Sequence, residues 1–77
     1  MIPPRIKAVK VLEDYKLQIT YITDEVKIYD MIKKLEKNYY KKLRNQEYFK
    51  CVKSVETTIE WPNGEDIDPN ELYENSI

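Results

Sequence analysis

The sequence has no histidine and a single cysteine, and these two facts exclude several kinds of metal site and catalytic site. Cys51 has no second cysteine for an intrachain disulfide, and one thiol without an imidazole cannot build a structural zinc site. The usual nucleophile and base pairs of covalent catalysis are missing as well, since no serine stands beside an evident base. We therefore expect no enzyme activity, no cofactor and no bound metal.

Long apolar runs are also absent. No stretch approaches the ~18 apolar residues that a membrane span requires, and Met1–Arg5 lacks the apolar run of a secretory signal. The lone Cys51 fits a reducing compartment. The sequence thus predicts a cytoplasmic protein that does not enter a membrane.

The length of 77 residues allows one domain, which we take to span residues 1–77. A domain below about 80 residues rarely gains more than ~3–5 kcal/mol from its core, and this chain shows no disulfide or metal to add to it. Association with another small protein, or with a second copy as a homodimer, would supply further stability.

Basic residues are missing from the second part of the chain. All 13 Lys and Arg lie in residues 1–53, whereas residues 54–77 carry seven acids and no base. This asymmetry is typical of a basic surface for nucleic acid or an acidic segment for a basic partner, unless the two parts neutralise each other in the fold or in a dimer.

The hydrophobic pattern predicts an α+β fold with antiparallel strands. Residues 7–12 are rich in β-branched side chains, and residues 16–30 alternate around a polar turn at 23–25, which predicts a hairpin. Further strands are expected over residues 49–61, where every second residue from Val55 to Trp61 faces one side. Pro62, Asn63 and Gly64 then form a turn.

One or two short helices are expected in the middle of the chain. Asp30 is a suitable N-cap for a helix that could run to Arg44. In an unbroken helix, one face would carry Ile32, Leu35, Tyr39 and Leu43. Asn38 lies within this run and is a candidate break that would divide it into two helices.

A short C-terminal helix is predicted from Asp68 to about Glu74. Asp68 is an N-cap residue, Pro69 suits the first helical position, and Glu71 stands where a capping box places its carboxylate.

The segment from residue 33 to residue 44 carries six basic side chains and one acidic side chain. Lysines interleaved with tyrosines can hold phosphates while the rings stack on bases, although a solvated helix face has the same composition. The candidate nucleic-acid-binding residues are Lys33, Lys37, Tyr40, Lys41, Lys42 and Arg44.

The acidic segment offers a second candidate surface. Its clustered carboxylates do not have the spacing of a calcium loop, and a capped helix accounts for Asp68 and Glu71 without a metal. Cys51 is interpreted as a small buried hydrophobe, and Trp61 as a core anchor unless it is exposed. The candidate partner-binding residues are Trp61, Glu65, Asp66, Glu71 and Tyr73.

Several motifs follow one another in a distinctive order: Asp14-Tyr15-x-Leu17, the hairpin into Ile28-Tyr29-Asp30, and above all residues 61–73, WPNGEDIDPNELY. In this order the chain resembles a bacterial family, domain of unknown function 2442. The family usually has a glycine in the first hairpin turn, where this sequence has Thr23-Asp24-Glu25.

The resemblance implies an α+β domain that occurs alone or joined to a helix-turn-helix domain, with no known activity. It also implies frequent encoding beside a second small protein, an arrangement similar to toxin-antitoxin pairs. We therefore expect a non-catalytic protein-interaction module, the antitoxin-like or regulatory partner of such a protein. The alternative is a weak nucleic-acid-binding accessory protein that uses the basic segment 33–44.

Overall fold

A three-stranded antiparallel sheet forms the first half of the fold. The computed structural model describes residues 2–77. Strands β1 (Ile6–Val11), β2 (Lys16–Tyr21) and β3 (Val26–Asp30) lie in that order, and each pairs with the next. In β2 every second side chain is buried, as the alternating sequence predicts. The predicted hairpin over residues 16–30 is confirmed.

The turn of that hairpin contains a left-handed residue that is not glycine. Asp24 adopts a left-handed backbone with φ of 70°, and its amide donates to the Tyr21 carbonyl at 2.9 Å. Aspartate tolerates this conformation better than most residues, because its short polar side chain bonds locally.

The predicted central helix is replaced by short 3-10 turns. They span Lys34–Glu36 and Asn38–Arg44, and Lys37 between them is extended, with ψ of 141°. The break therefore falls one residue before Asn38. Asp30 is not the predicted N-cap of the first turn, which begins at Lys34 and has no side-chain cap. Its Oδ1 accepts instead from the Ile32 amide at 2.9 Å, before the turn.

The break makes the predicted apolar face partly wrong. Leu35 and Leu43 are buried, but Ile32 and Tyr39 are about half exposed, and Tyr40 is buried in place of Tyr39. A 100° step per residue holds only within one continuous α-helix, so the extended Lys37 resets the phase.

The strands predicted over residues 49–61 are shorter than expected. Residues 46–49 instead form a one-turn helix, α1 (Gln46–Phe49), because the Asn45 side chain accepts from the Glu47 and Tyr48 amides. Strands β4 (Lys53–Val55) and β5 (Thr58–Glu60) then form a two-stranded antiparallel sheet. A turn containing Glu56, with φ of 52°, interrupts the alternation.

The C-terminal helix α2 (Pro69–Asn75) begins as predicted. Asp68 caps it by accepting from the amides of Asn70 and Glu71. After the helix, Ile77 pairs with Ile28 of β3 through two backbone hydrogen bonds of 2.9 Å. With two sheets and short helices, the α+β prediction is confirmed.

A single core lies between the buried face of the three-stranded sheet, the 3-10 turns, β5 and α2. The Ile6 amide donates to the Glu56 carbonyl at 2.7 Å and so links the two sheets. The most deeply buried large side chains are Leu17, Ile19, Tyr21, Met31, Leu43, Ile59, Trp61, Ile67 and Leu72.

Two of the three ion pairs among the described residues join the basic and acidic parts of the chain. Lys34 pairs with Glu71, and Lys53 pairs with Glu60 at 3.6 Å. Part of the charge asymmetry is therefore neutralised inside one molecule.

Candidate functional site

A groove lies between the β1–β2 turn and helix α1, and we call it the turn groove. Its volume is about 660 Å³. It is lined by Val11, Leu12, Glu13, Asp14, Tyr15, Gln46, Phe49 and Lys50. Sequence analysis predicted none of these residues as site residues.

The turn groove owes its shape to two consecutive left-handed residues. Asp14 and Tyr15 have φ of 59° and 60°, and the Lys16 amide donates to the Glu13 carbonyl across them. This is the backbone of a tight hairpin turn that usually carries asparagine and glycine. A bulky residue costs roughly 1–2 kcal/mol in this region, so neighbouring contacts must hold Tyr15 there.

Three contacts fix Tyr15. Its hydroxyl donates to the Arg44 carbonyl, and its ring packs edge-on against Phe49 with centroids 5.1 Å apart. Its own carbonyl accepts from the Met31 amide at 3.0 Å. The turn is thus tied to the core and to the end of the second 3-10 turn, which makes the groove a preformed feature of the fold.

The walls of the turn groove combine apolar surface with a net negative charge. Glu13 and Asp14 are exposed, and within residues 2–77 neither carboxylate forms an ion pair. Lys50 is the one cationic residue among the lining residues. The arrangement suits a ligand with an apolar group beside a positive charge.

The acidic residues predicted to contact a partner are largely engaged within the molecule. Glu65 is only 7% exposed, and its Oε1 accepts from the Tyr48 hydroxyl at 2.7 Å. Asp66 is exposed and accepts from the Tyr39 hydroxyl at 3.2 Å. Burial removes Glu65 from the predicted contact surface.

The aromatic residues predicted to contact a partner are also engaged within the molecule. Trp61 is 1% exposed, and its Nε1 donates to the Phe49 carbonyl at 2.9 Å, so it is a core anchor and not a surface contact. Tyr73 is half-buried and donates to Glu25 at 2.7 Å, while Glu71 pairs with Lys34.

The basic segment stays on the surface, but its predicted stacking residue does not. Tyr40 is buried and donates to the Asp66 carbonyl at 2.8 Å, so the prediction that its ring stacks on bases is wrong. Tyr39 is the exposed aromatic residue of the pair. The cationic residues remain exposed, namely Lys33, Lys37, Lys41, Lys42 and Arg44.

A family model described as a protein of unknown function (DUF2442) matches residues 6–77. The chain belongs to this family. No curated protein and no solved structure matches it. The match covers both sheets, the turn groove and α2, so these features lie within the family domain.

Cys51 differs from its predicted role in this DUF2442 domain. It is exposed at the end of α1, and its Sγ contacts the Glu47 carbonyl at 3.4 Å. The strand that would have buried it begins only at Lys53. Across the described part of the chain, no three Cys, Asp or Glu side chains are arranged to hold a metal ion.

The helices among residues 2–77 are all short, and none has the length and apolar composition needed to cross a membrane.

Buried tyrosines give the family domain a predicted sensitivity to alkali. Burial, aided by neighbouring charges, raises the pKa of Tyr21 and that of Tyr40 to about 12, and it also raises the pKa of Tyr29. Above the ordinary value of 10.0, the unfolded chain loses these protons while the folded chain keeps them. The resulting stabilisation is complete below pH 10 and is lost as the pH rises through about 12.

We therefore expect the free energy of unfolding to fall steeply over that interval, and denaturant titrations followed by tyrosinate absorbance measure it. A free energy of unfolding that stays constant across the interval would contradict the burial of these hydroxyls.

Proposed function

We propose that this protein is a non-catalytic protein-interaction module that binds a segment of a partner protein in the turn groove. The observation that supports this function is the pair of unpaired carboxylates, Glu13 and Asp14, beside half-buried apolar walls on a preformed turn. A preformed site loses little conformational entropy on binding, which favours recognition of a short segment.

The charge of the groove defines the segment it would accept. An apolar side chain would pack against the half-buried Val11 and Leu12, and an adjacent Lys or Arg would lie near the carboxylates of the turn. The preferred partner is a small protein encoded beside this chain, with this chain as its antitoxin-like or regulatory half. This assignment rests on the family resemblance together with the acidic groove.

A displayed library of random peptides, selected on the immobilised protein, tests the proposal. We expect enriched sequences to share an apolar residue next to Lys or Arg. The double variant Glu13→Gln, Asp14→Asn removes both charges and keeps a residue that tolerates the left-handed conformation at position 14. Binding of the enriched peptides should fall by about tenfold or more in this variant.

A matched control removes the same charge elsewhere. Asp24 is an exposed left-handed aspartate in the other hairpin turn, and Glu36 is exposed on a 3-10 turn. The variant Asp24→Asn, Glu36→Gln should bind the peptides like the unmodified protein. Equal losses in both variants would show a general charge effect, and a selection without an apolar-basic pattern would refute the groove as the binding site.

A further inference from the structure

A second concavity lies on the side of the molecule that carries β3 and α2. It is an open hollow of about 310 Å³, near the lower end of the sizes found for small-molecule sites. We call it the lysine hollow, and its lining residues are Tyr29, Asp30, Lys33, Lys34, Lys37, Glu71 and Asn75.

Tyr29 is the unusual residue of the lysine hollow. It is only 4% exposed, yet among residues 2–77 no group forms a hydrogen bond with its hydroxyl, whereas the equally buried Tyr40 donates to the Asp66 carbonyl. The Tyr29 hydroxyl is not fully buried, because the Tyr21 hydroxyl is the one fully buried side-chain polar atom among the described residues that lacks a partner. Because Tyr29 lines the hollow, a bound molecule can supply a partner for its hydroxyl.

The pKa of Tyr29 is raised by burial and then by the charge of Glu71, another lining residue. The hydroxyl therefore remains protonated at neutral pH and acts as a donor.

The charges of the lysine hollow leave two ammonium groups free. Lys34 forms an ion pair with Glu71. The Asp30 carboxylate accepts from the Ile32 amide but keeps its negative charge, so the lining residues carry a net charge of about +1. Lys33 and Lys37 are exposed and form no ion pair within the described residues. The lining residues thus include two lysines without an ion pair and one hydroxyl without a hydrogen bond, and all three groups are donors.

We propose that the lysine hollow binds the phosphate group of a small phosphate monoester, with Lys33, Lys37 and the Tyr29 hydroxyl as donors to its oxygens. A monoester has three terminal oxygens and about two negative charges at neutral pH, which matches two ammonium groups and one hydroxyl. The Asn75 amide lies at the same hollow and can bond to the remainder of the ligand. This site is separate from the turn groove, so it does not depend on the function proposed above.

Amide NMR titrations of the whole protein test the site with two probes, inorganic phosphate and glycerol 3-phosphate, at constant ionic strength set with sodium chloride. We expect saturable shifts confined to residues around 29–37 and 71–75. The variant Lys33→Gln, Lys37→Gln should weaken binding by about tenfold or more, and Tyr29→Phe by several-fold.

The control Lys41→Gln, Lys42→Gln removes the same charge from exposed lysines that do not line the hollow. It should bind like the unmodified protein, and the dispersion of each spectrum shows whether the variant is folded. Tyr29→Phe removes one hydroxyl only, so it provides a test even if a lysine variant folds poorly.

Several results would overturn the proposal. Shifts that do not saturate, or equal losses in the control, would reduce the effect to surface charge. Unchanged binding by a folded Tyr29→Phe would remove the hydroxyl from the site. A single-stranded oligonucleotide without a terminal phosphate serves as a phosphodiester probe, and tighter binding of this probe at the same residues would assign the hollow to nucleic acid.

Discussion

Replacing Trp61 with alanine is expected to leave about half or more of the protein unfolded at room temperature. The side chain is 1% exposed, stacks on Phe49 at a centroid distance of 5.9 Å, and satisfies the Phe49 carbonyl through its Nε1. Truncating a buried tryptophan costs about 3–5 kcal/mol, which equals the ~3–5 kcal/mol that the core of so small a domain supplies. Far-UV circular dichroism in a urea series measures the loss, since the variant has no tryptophan to report by fluorescence.

Two further variants separate the packing of Trp61 from its hydrogen bond. Trp61→Phe keeps an aromatic ring but leaves the Phe49 carbonyl without its donor, so it should lose less stability than the alanine variant. Ile32→Ala truncates a side chain that is 48% exposed and should change stability by no more than about 0.5 kcal/mol. A Trp61→Ala protein with a normal urea midpoint would refute the role of Trp61 as the central core anchor.

Replacing Tyr21 with phenylalanine is expected to raise the free energy of unfolding, in contrast to the loss expected for Trp61. Tyr21 is fully buried, and its hydroxyl is the one buried side-chain polar atom among the described residues that has no hydrogen-bond partner. An unsatisfied buried group costs about 1–3 kcal/mol, so its removal should raise the free energy of unfolding by at least about 1 kcal/mol. The edge contact with Tyr73, at 5.1 Å, needs only the ring and should persist.

Tyr40→Phe is the matched control, because it deletes the same atom from a buried tyrosine that does have a partner. Its hydroxyl donates to the Asp66 carbonyl at 2.8 Å, so this variant should lose about 1 kcal/mol. Urea unfolding of both variants under identical conditions gives the comparison. Destabilisation by Tyr21→Phe would mean that the Tyr21 hydroxyl has a partner, such as an ordered water molecule.

The sequence predicts most reliably where a local pattern and the tertiary environment agree. The alternation of Leu17, Ile19 and Tyr21 fixes which face of β2 is buried, and the Asp68-Pro69 pair fixes the start of α2. These signals depend on neighbours in the chain, so they do not require knowledge of the rest of the fold.

The central segment shows why other features could not be predicted. Its composition suits a helix, yet one extended residue, Lys37, shifts the phase and exchanges the roles of Tyr39 and Tyr40. Helix propensity is a weak preference that tertiary packing overrides. Tyr40, which was predicted to stack on bases, is therefore a core residue.

The turn groove left no recognisable signal in the sequence. Two consecutive residues in the left-handed conformation are usually asparagine and glycine, but here they are Asp14 and Tyr15. Their conformation is held by Phe49, Arg44 and Met31, which lie far away in the sequence. The lysine hollow is similar, since it depends on α2 lying beside the 3-10 turns.

The pairing of Ile77 with Ile28 also bears on how the protein behaves when it is concentrated. An open outer strand presents free amide and carbonyl groups that can recruit a strand from another molecule and start aggregation. Ile77 occupies both backbone groups at the middle residue of β3, so a foreign strand cannot pair along the full length of that edge. Ile77 thus limits sheet extension between molecules at the β3 edge of the sheet.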